Sequence, residues 1–167
     1  MDELTNQDLI NEELCHQVRL LEEPQEILFY LFKRFKERAA IVTSGQLSGM
    51  VLIHLAHANK LPFRVCTLDT LRLFPETYDF FAHVEERYEI HIERRTPDAE
   101  EIDRMLAHHG EYLFFDSKQK QEYCCQIRKV KPMQRLLDTL DVWFSGLRRD
   151  QSDDRQHVPK VQIINHK

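Results

Sequence analysis

Apolar positions along the chain follow two alternating periods. Ile10, Leu14, Val18 and Leu21 fall on one helical face. Ile27, Leu28, Leu31, Phe32 and Phe35 form a second face behind Pro24, whose fixed φ suits a first helical turn. The next run, Ala39-Ala40-Ile41-Val42-Thr43, is short and unbroken, as in a strand covered on both sides. The two patterns then repeat. A helix is predicted over Met50 to Asn59, a strand over Phe63 to Leu68, and a helix from Pro75 with Tyr78, Phe81, Val84 and Tyr88 inward. A strand follows near Ile90 to Glu93 and a helix near Ala99 to His108. A last helix carries Val130, Met133, Leu136, Leu137 and Leu140, and a last strand is Val142-Trp143-Phe144-Ser145.

Strands that alternate with helices of this length require right-handed crossovers, so the fold class is α/β with a mostly parallel sheet flanked by helices. Ligands of such sheets bind beyond the carboxyl ends of the strands. That rule selects three loops for one edge: Ser44 to Gly49, Asp69 to Phe74, and Gly146 to Arg155.

Composition narrows the picture further. The 167 residues suffice for one domain with a core, and 42% hydrophobic with 31% charged residues is an ordinary globular balance. With four glycines, six prolines and no repeat, residues 1–167 are read as a single domain. Gln151 to Lys167 is polar and aperiodic, and reads as an end that expects further chain. A net charge of -5 argues against a broad nucleic-acid or membrane surface. No apolar run approaches the ~20 residues of a membrane span. Met1 to Glu13 is acidic and polar, unlike a signal or transit peptide, so the expected location is cytoplasmic. There, Cys15, Cys66, Cys124 and Cys125 are thiols or metal ligands, not a disulfide framework.

Each loop has a chemical reading and a plain one. Ser44, Gly45, Gln46, Ser48 and Gly49 join a strand to a helix, where small residues and free N–H groups admit a phosphate. Tight turns in many α/β proteins look the same. Asp69 ends a strand, where a carboxylate accepts bonds from a ribose or an adenine amino group, or caps a turn. Arg148, Arg149 and Arg155 suit a dianion through bidentate bonds. The nearby Asp150, Asp153 and Asp154 equally suit a solvated loop. Cys124 and Cys125 stand before Arg128, Lys129 and Lys131, cations that favour thiolates and hence soft metals or iron–sulfur clusters; two unremarkable thiols are the alternative.

Four segments in order give the chain a wider resemblance: Leu68-Asp69-Thr70; Leu73-Phe74-Pro75-Glu76-Thr77-Tyr78; Cys124-Cys125-Gln126-Ile127-Arg128-Lys129-Val130; and Gly146-Leu147-Arg148-Arg149-Asp150-Gln151-Ser152. Over roughly residues 25 to 160 it resembles the assimilatory, thioredoxin-dependent adenylyl-sulfate and phosphoadenylyl-sulfate reductases. The resemblance implies an adenine-nucleotide α-hydrolase-like (PP-loop type) fold. It also implies reduction of adenylyl sulfate, or its 3′-phosphorylated form, to sulfite and a nucleotide, with thioredoxin or glutaredoxin as reductant. It places Ser44 to Gly49 on the pyrophosphate-binding loop, and Asp69, Thr70 and Arg72 near the nucleotide. Arg148, Arg149, Gln151, Ser152 and Arg155 fall on the loop that grips the substrate. Cys124 and Cys125 match the first ligand pair of a [4Fe–4S] cluster, and Lys129 the lysine between cluster and substrate, in a supporting catalytic role. The vicinal pair matches the branch that uses adenylyl sulfate.

Departures accompany the match. Leu71 stands where the family usually has glycine. Neither the second cluster pair, Cys-x-x-Cys, nor the Glu-Cys-Gly segment with the nucleophilic cysteine occurs in the sequence. The chain is therefore read as the N-terminal, nucleotide-binding part, with the catalytic segment apparently missing through truncation, splitting or degeneration. With two ligands, no stable cluster is expected in a monomer; labile iron, or a cluster shared between two copies in a homo-oligomer, are the alternatives. Two other readings stay open: an ATP pyrophosphatase of the same fold, whose first loop usually reads Ser-Gly-Gly-x-Asp-Ser, and a degenerate, non-catalytic nucleotide-binding protein.

Overall fold

The computed structural model describes residues 10–164; the acidic stretch before residue 10 and the last three residues lie outside it. Strands β1 (Ala39–Val42), β2 (Arg64–Leu68), β3 (Ile92–Arg95) and β4 (Val142–Ser145) form one all-parallel sheet in the order β3-β2-β1-β4. Ala40 faces Arg64 and Trp143 across the two ladders of β1, and Val65 faces Ile92.

The sheet's period of two sorts its side chains into two cores. Ile41, Val65, Ile92, Val142 and Phe144 face helices α1 (Glu12–Leu20), α2 (Pro24–Phe35), α3 (Leu47–Ala58) and α4 (Pro75–Tyr88). Ala40, Cys66, Val42 and Trp143 face Met133, Leu136 and Leu140, in and just after α7 (Lys131–Leu137). Chain order explains this division. From β1 to β3 the chain steps one way, and the return to β4 reverses direction. Right-handed crossovers then place the returning helices on the opposite face.

That return is long and has its own small core. It contains α5 (Ala99–His109), a 3₁₀ turn at Leu113–Phe115, α6 (Lys118–Cys125), a π-turn at Gln126–Val130, and α7. Ile102, Met105, Leu113, Cys124 and Ile127 pack together there.

The base of the sheet is clamped at β1 and β4. Arg38 gives two bonds of 2.7 Å to Asp141, and the Asp141 N–H donates to the Arg38 carbonyl at 2.8 Å. Asp141 is buried, so the bidentate pair satisfies a carboxylate that water cannot reach. Between β2 and β3, Arg64 makes bidentate bonds of 2.7 and 2.9 Å to Glu93.

The alternating pattern locates every strand, with differences at the ends. The helix expected from Met50 begins at Leu47, because the preceding turn needs only residues 43–46. The strand expected near Ile90 to Glu93 runs over Ile92–Arg95. Glu89 takes a left-handed cap after α4 and the Ile90 N–H bonds back to the Glu85 carbonyl, so Ile90 closes the helix. Val130 belongs to the π-turn and is exposed, while Leu140 is buried but follows α7. Helix α6 was not foreseen: Lys118 to Cys125 has no apolar stripe, and Ser117 starts the helix by accepting from the Lys120 N–H at 3.2 Å.

Candidate nucleotide site at the sheet's switch point

Strand order reverses between β1 and β4, and the crevice of a parallel sheet opens at such a reversal. The first and third loops flank it. After β1, Gly45 turns the chain at φ +80°, and its N–H donates to Thr43 Oγ1 at 3.1 Å. Helix α3 begins two residues later, so its unpaired first-turn N–H groups lie at the carboxyl edge. Gln46 and Ser44 are exposed there.

Close backbone approach fixes the two loops to each other. A Cβ on Gly146 would lie 2.6 Å from Ser48 Oγ and 2.7 Å from Gly49 N. A Cβ on Gly49 would lie 2.0 Å from Thr43 Oγ1. Glycine is needed at both positions for contact, not for a special φ. Ser48, expected on the substrate, donates its hydroxyl to the Gly146 carbonyl at 2.5 Å and so joins the loops.

The arginines of the third loop are held within their own segment. Arg148 Nε donates to Asp150 at 2.9 Å, and this bond holds the exposed Asp150 carboxyl below its ordinary range. Arg149 Nε donates to the Val158 carbonyl at 3.0 Å. Arg155 donates to Gln151 Oε1, which also accepts from the Arg148 N–H. Ser152 is exposed between two 3₁₀ turns, Arg149–Gln151 and Asp153–Arg155.

The second loop lies on the other side of β1. Asp69 is buried, and its Oδ1 accepts from the Leu71 N–H and the Tyr78 hydroxyl, each at 2.8 Å. The turn-capping alternative for Asp69 is thus realised. Burial and then the Asp69 bond push the Tyr78 phenol above its ordinary pKa. Leu71, at the usual glycine position, keeps the left-handed conformation at φ +59°. Arg72 turns away toward residues 111–114. It donates to the Glu111 carbonyl at 3.2 Å, and its guanidinium lies 4.8 Å from the Phe114 ring centre. Thr70 contributes its carbonyl, which accepts from Arg128 Nη1 at 2.7 Å.

Cys124 and Cys125 end α6, the first buried and the second half-buried. Lys129 is exposed. Of the cations expected to support thiolates, Arg128 bonds to Thr70 and Lys131 pairs with Glu101. Cys15 lies on α1 and Cys66 inside β2; burial raises both thiol pKa values, that of Cys66 to about 11. Among the described residues no three His, Cys, Asp or Glu side chains gather as a metal site. A cuboidal cluster takes four ligands, so the residues present do not by themselves fit one; the Cys124–Cys125 pair offers two.

Two participants were missed in the sequence. Tyr78 reads as an inward helix position, and nothing in its spacing announces the bond to Asp69. The sequence groups Arg128 with its basic neighbours, and the π-turn carries it inward.

A four-stranded parallel sheet flanked by helices, with a glycine turn and a helix N-terminus at its switch point, is an α/β fold of the PP-loop type. Residues 38–167 match the model of the phosphoadenosine phosphosulfate reductase domain, and the chain belongs to that family. It is 40% identical over 141 residues to 5′-adenylylsulfate reductase 3, chloroplastic, of Arabidopsis thaliana, which aligns 84% of this chain with 30% of that protein. With the adenosine 5′-phosphosulfate reductase of Rhizobium meliloti it shares 38% over 122 residues, 73% of this chain and 46% of the relative. The crystal structure of phosphoadenylyl-sulfate (PAPS) reductase from Candida auris, phosphate complex, superposes with a TM-score of 0.73 at 25% identity, covering 97% of this chain and 75% of that one. The chain thus spans roughly a third to a half of the length of these two curated relatives. No helix among the described residues is long and apolar enough to cross a membrane.

Proposed function

We propose that this chain supplies the nucleotide-binding part of a reductase of sulfate assimilation that converts adenylyl sulfate, or its 3′-phosphorylated form, to sulfite and a nucleotide. The observation that carries the reading is the reversal of strand order between β1 and β4, flanked by the Gly45 turn and the arginine loop, which the Ser48–Gly146 bond joins. The names of the relatives favour adenylyl sulfate. In this reading the first-turn N–H groups of α3 hold the anionic bridge of the ligand. Arg148, Arg149 and Arg155 exchange their internal partners for sulfate oxygens, and Gln151 and Ser152 shape that loop. Lys129 offsets charge as sulfur is attacked.

The chemistry needs a cysteine thiolate that attacks the sulfate sulfur, breaks its bond to the phosphate oxygen and releases AMP, leaving an S-sulfonate. A dithiol of the thioredoxin or glutaredoxin class then donates two electrons, frees sulfite and becomes a disulfide. Cys15 and Cys66 are unsuited to that attack, since buried, proton-retaining thiols are poor nucleophiles. Cys124 and Cys125 are assigned to metal ligation, two of the four positions of a [4Fe–4S] cluster, with a shared cluster in a homo-oligomer as one way to complete it. The proposed location is the cytoplasm.

Calorimetry tests the reading. Wild type binds adenylyl sulfate and AMP, and the Arg148→Ala/Arg149→Ala double variant loses about tenfold or more for adenylyl sulfate, the scale of one to two charge-assisted bonds. AMP affinity changes less. Equal losses for both ligands, or no binding by wild type, would sink it.

A further inference from the structure

Arg128 is 6% exposed and stands in the π-turn three residues after Cys125. A π-turn inserts one residue into a helix and redirects the side chains around it, and such turns concentrate at functional positions. Here the side chain leaves its own helix and reaches a carbonyl 58 residues away, that of Thr70. This carbonyl belongs to the same peptide group as the Leu71 N–H. Asp69 Oδ1 therefore holds one end of that peptide at 2.8 Å and Arg128 holds the other at 2.7 Å. The peptide leads into a leucine at φ +59°, a conformation that L side chains rarely adopt and that its surroundings must enforce. Arg128 Nε–H is buried without a partner, so the guanidinium is not arranged to satisfy its own donors. Its placement serves the Thr70 bond.

We propose that Arg128 is a positioning residue that couples the cysteine-bearing turn to the Thr70–Leu71 peptide. A group attached at Cys125 shifts the π-turn, loosens the grip on the Thr70 carbonyl and alters the Asp69 turn. By linkage, a ligand at the Asp69 turn alters the cysteine pair by the same factor. The nucleotide half of this statement rests on the function proposed above; the tether itself does not.

Hydrogen exchange of the Leu71 amide in the full chain reads the tether without any ligand. Alkylation of Cys125 by iodoacetamide accelerates that exchange by about tenfold in the wild type, as expected for a local opening. Arg128→Met is already as fast, and alkylation adds nothing. Arg128→Lys retains a donor and recovers most of the protection. The Ala40 amide in β1 keeps its rate throughout, which separates loss of the tether from general unfolding. Unchanged Leu71 exchange on alkylation, or equal rates in wild type and Arg128→Met, overturns the proposal. AMP calorimetry then reads the nucleotide half: Arg128→Met and alkylation each weaken AMP by about fivefold or more, and the two losses do not add. Additive losses overturn the coupling. Failure of the wild type to bind AMP overturns the nucleotide reading, and the exchange result still decides the tether.

Discussion

The switch-point loops and the Asp69–Cys125 region are held together by different means. At the switch point, close approach at two glycines joins the loops: Gly146 lies against Ser48 and the Gly49 amide, Gly49 lies against the Thr43 side chain, and the bidentate Arg38–Asp141 pair clamps β1 and β4 at their base. In the second region, single side-chain bonds and ring contacts hold the loop. Arg128 reaches Thr70, Tyr78 reaches Asp69, and Arg72 reaches the rings of Tyr112 and Phe114. A close contact at a glycine has one geometry, whereas a single side-chain tether can be released. The first region is therefore suited to holding a fixed anion. The second is suited to responding to what happens at the cysteines.

The largest effect should come from removing the clamp beneath the crevice. Arg38→Ala removes two charge-assisted bonds from the buried Asp141 and costs about 3 kcal/mol. Urea denaturation with an unchanged m-value checks it, and a loss below about 0.5 kcal/mol, the scale of an ordinary surface substitution, would break the claim of a clamped base. Gly146→Ala comes next, at about 1–3 kcal/mol, because the new methyl overlaps Ser48 and the Gly49 amide. Wild-type stability in that variant would mean that the two loops slide independently.

Glu93→Gln should cost about 1–2 kcal/mol at neutral pH, the range of a partly exposed charge-assisted pair. Its hydrogen bond from Arg64 holds the Glu93 carboxyl below the ordinary range. A depressed carboxyl contributes stability that is complete above its unfolded pKa, about 4.3, and is lost as pH falls through the lower folded value. The difference in Tm between wild type and variant therefore closes in acid; a gap that widens there contradicts the pairing. The smallest effect has the opposite sign. Leu71→Gly relieves a left-handed leucine and should gain about 0.5–1 kcal/mol, net of the entropy glycine loses on folding. A loss would show that the leucine side chain, not the peptide, holds the turn.

The contrast also explains what the sequence could disclose. Strand positions followed from unbroken apolar runs, because a strand buried on both faces has no polar alternative. The ligand edge followed from the parallel topology. The Asp69–Cys125 region resisted reading because Lys118 to Cys125 has no stripe and a π-turn has no periodic signature. Nor does the residue type of Arg128 or Arg72 disclose its distant partner. The arginine loop lies between these cases: its position was legible, but the internal bonds of Arg148, Arg149 and Arg155 were not.

In the proposed function, an anionic adenine nucleotide binds where the sheet order reverses. Amide chemical shifts recorded during titration with adenylyl sulfate test it most directly. The largest changes are expected on Gly45 to Gly49 and Gly146 to Gln151, with residues at the clamped base, Arg38 and Asp141, unmoved. Saturable changes confined to the base or to α5, with the two switch-point loops silent, would contradict it.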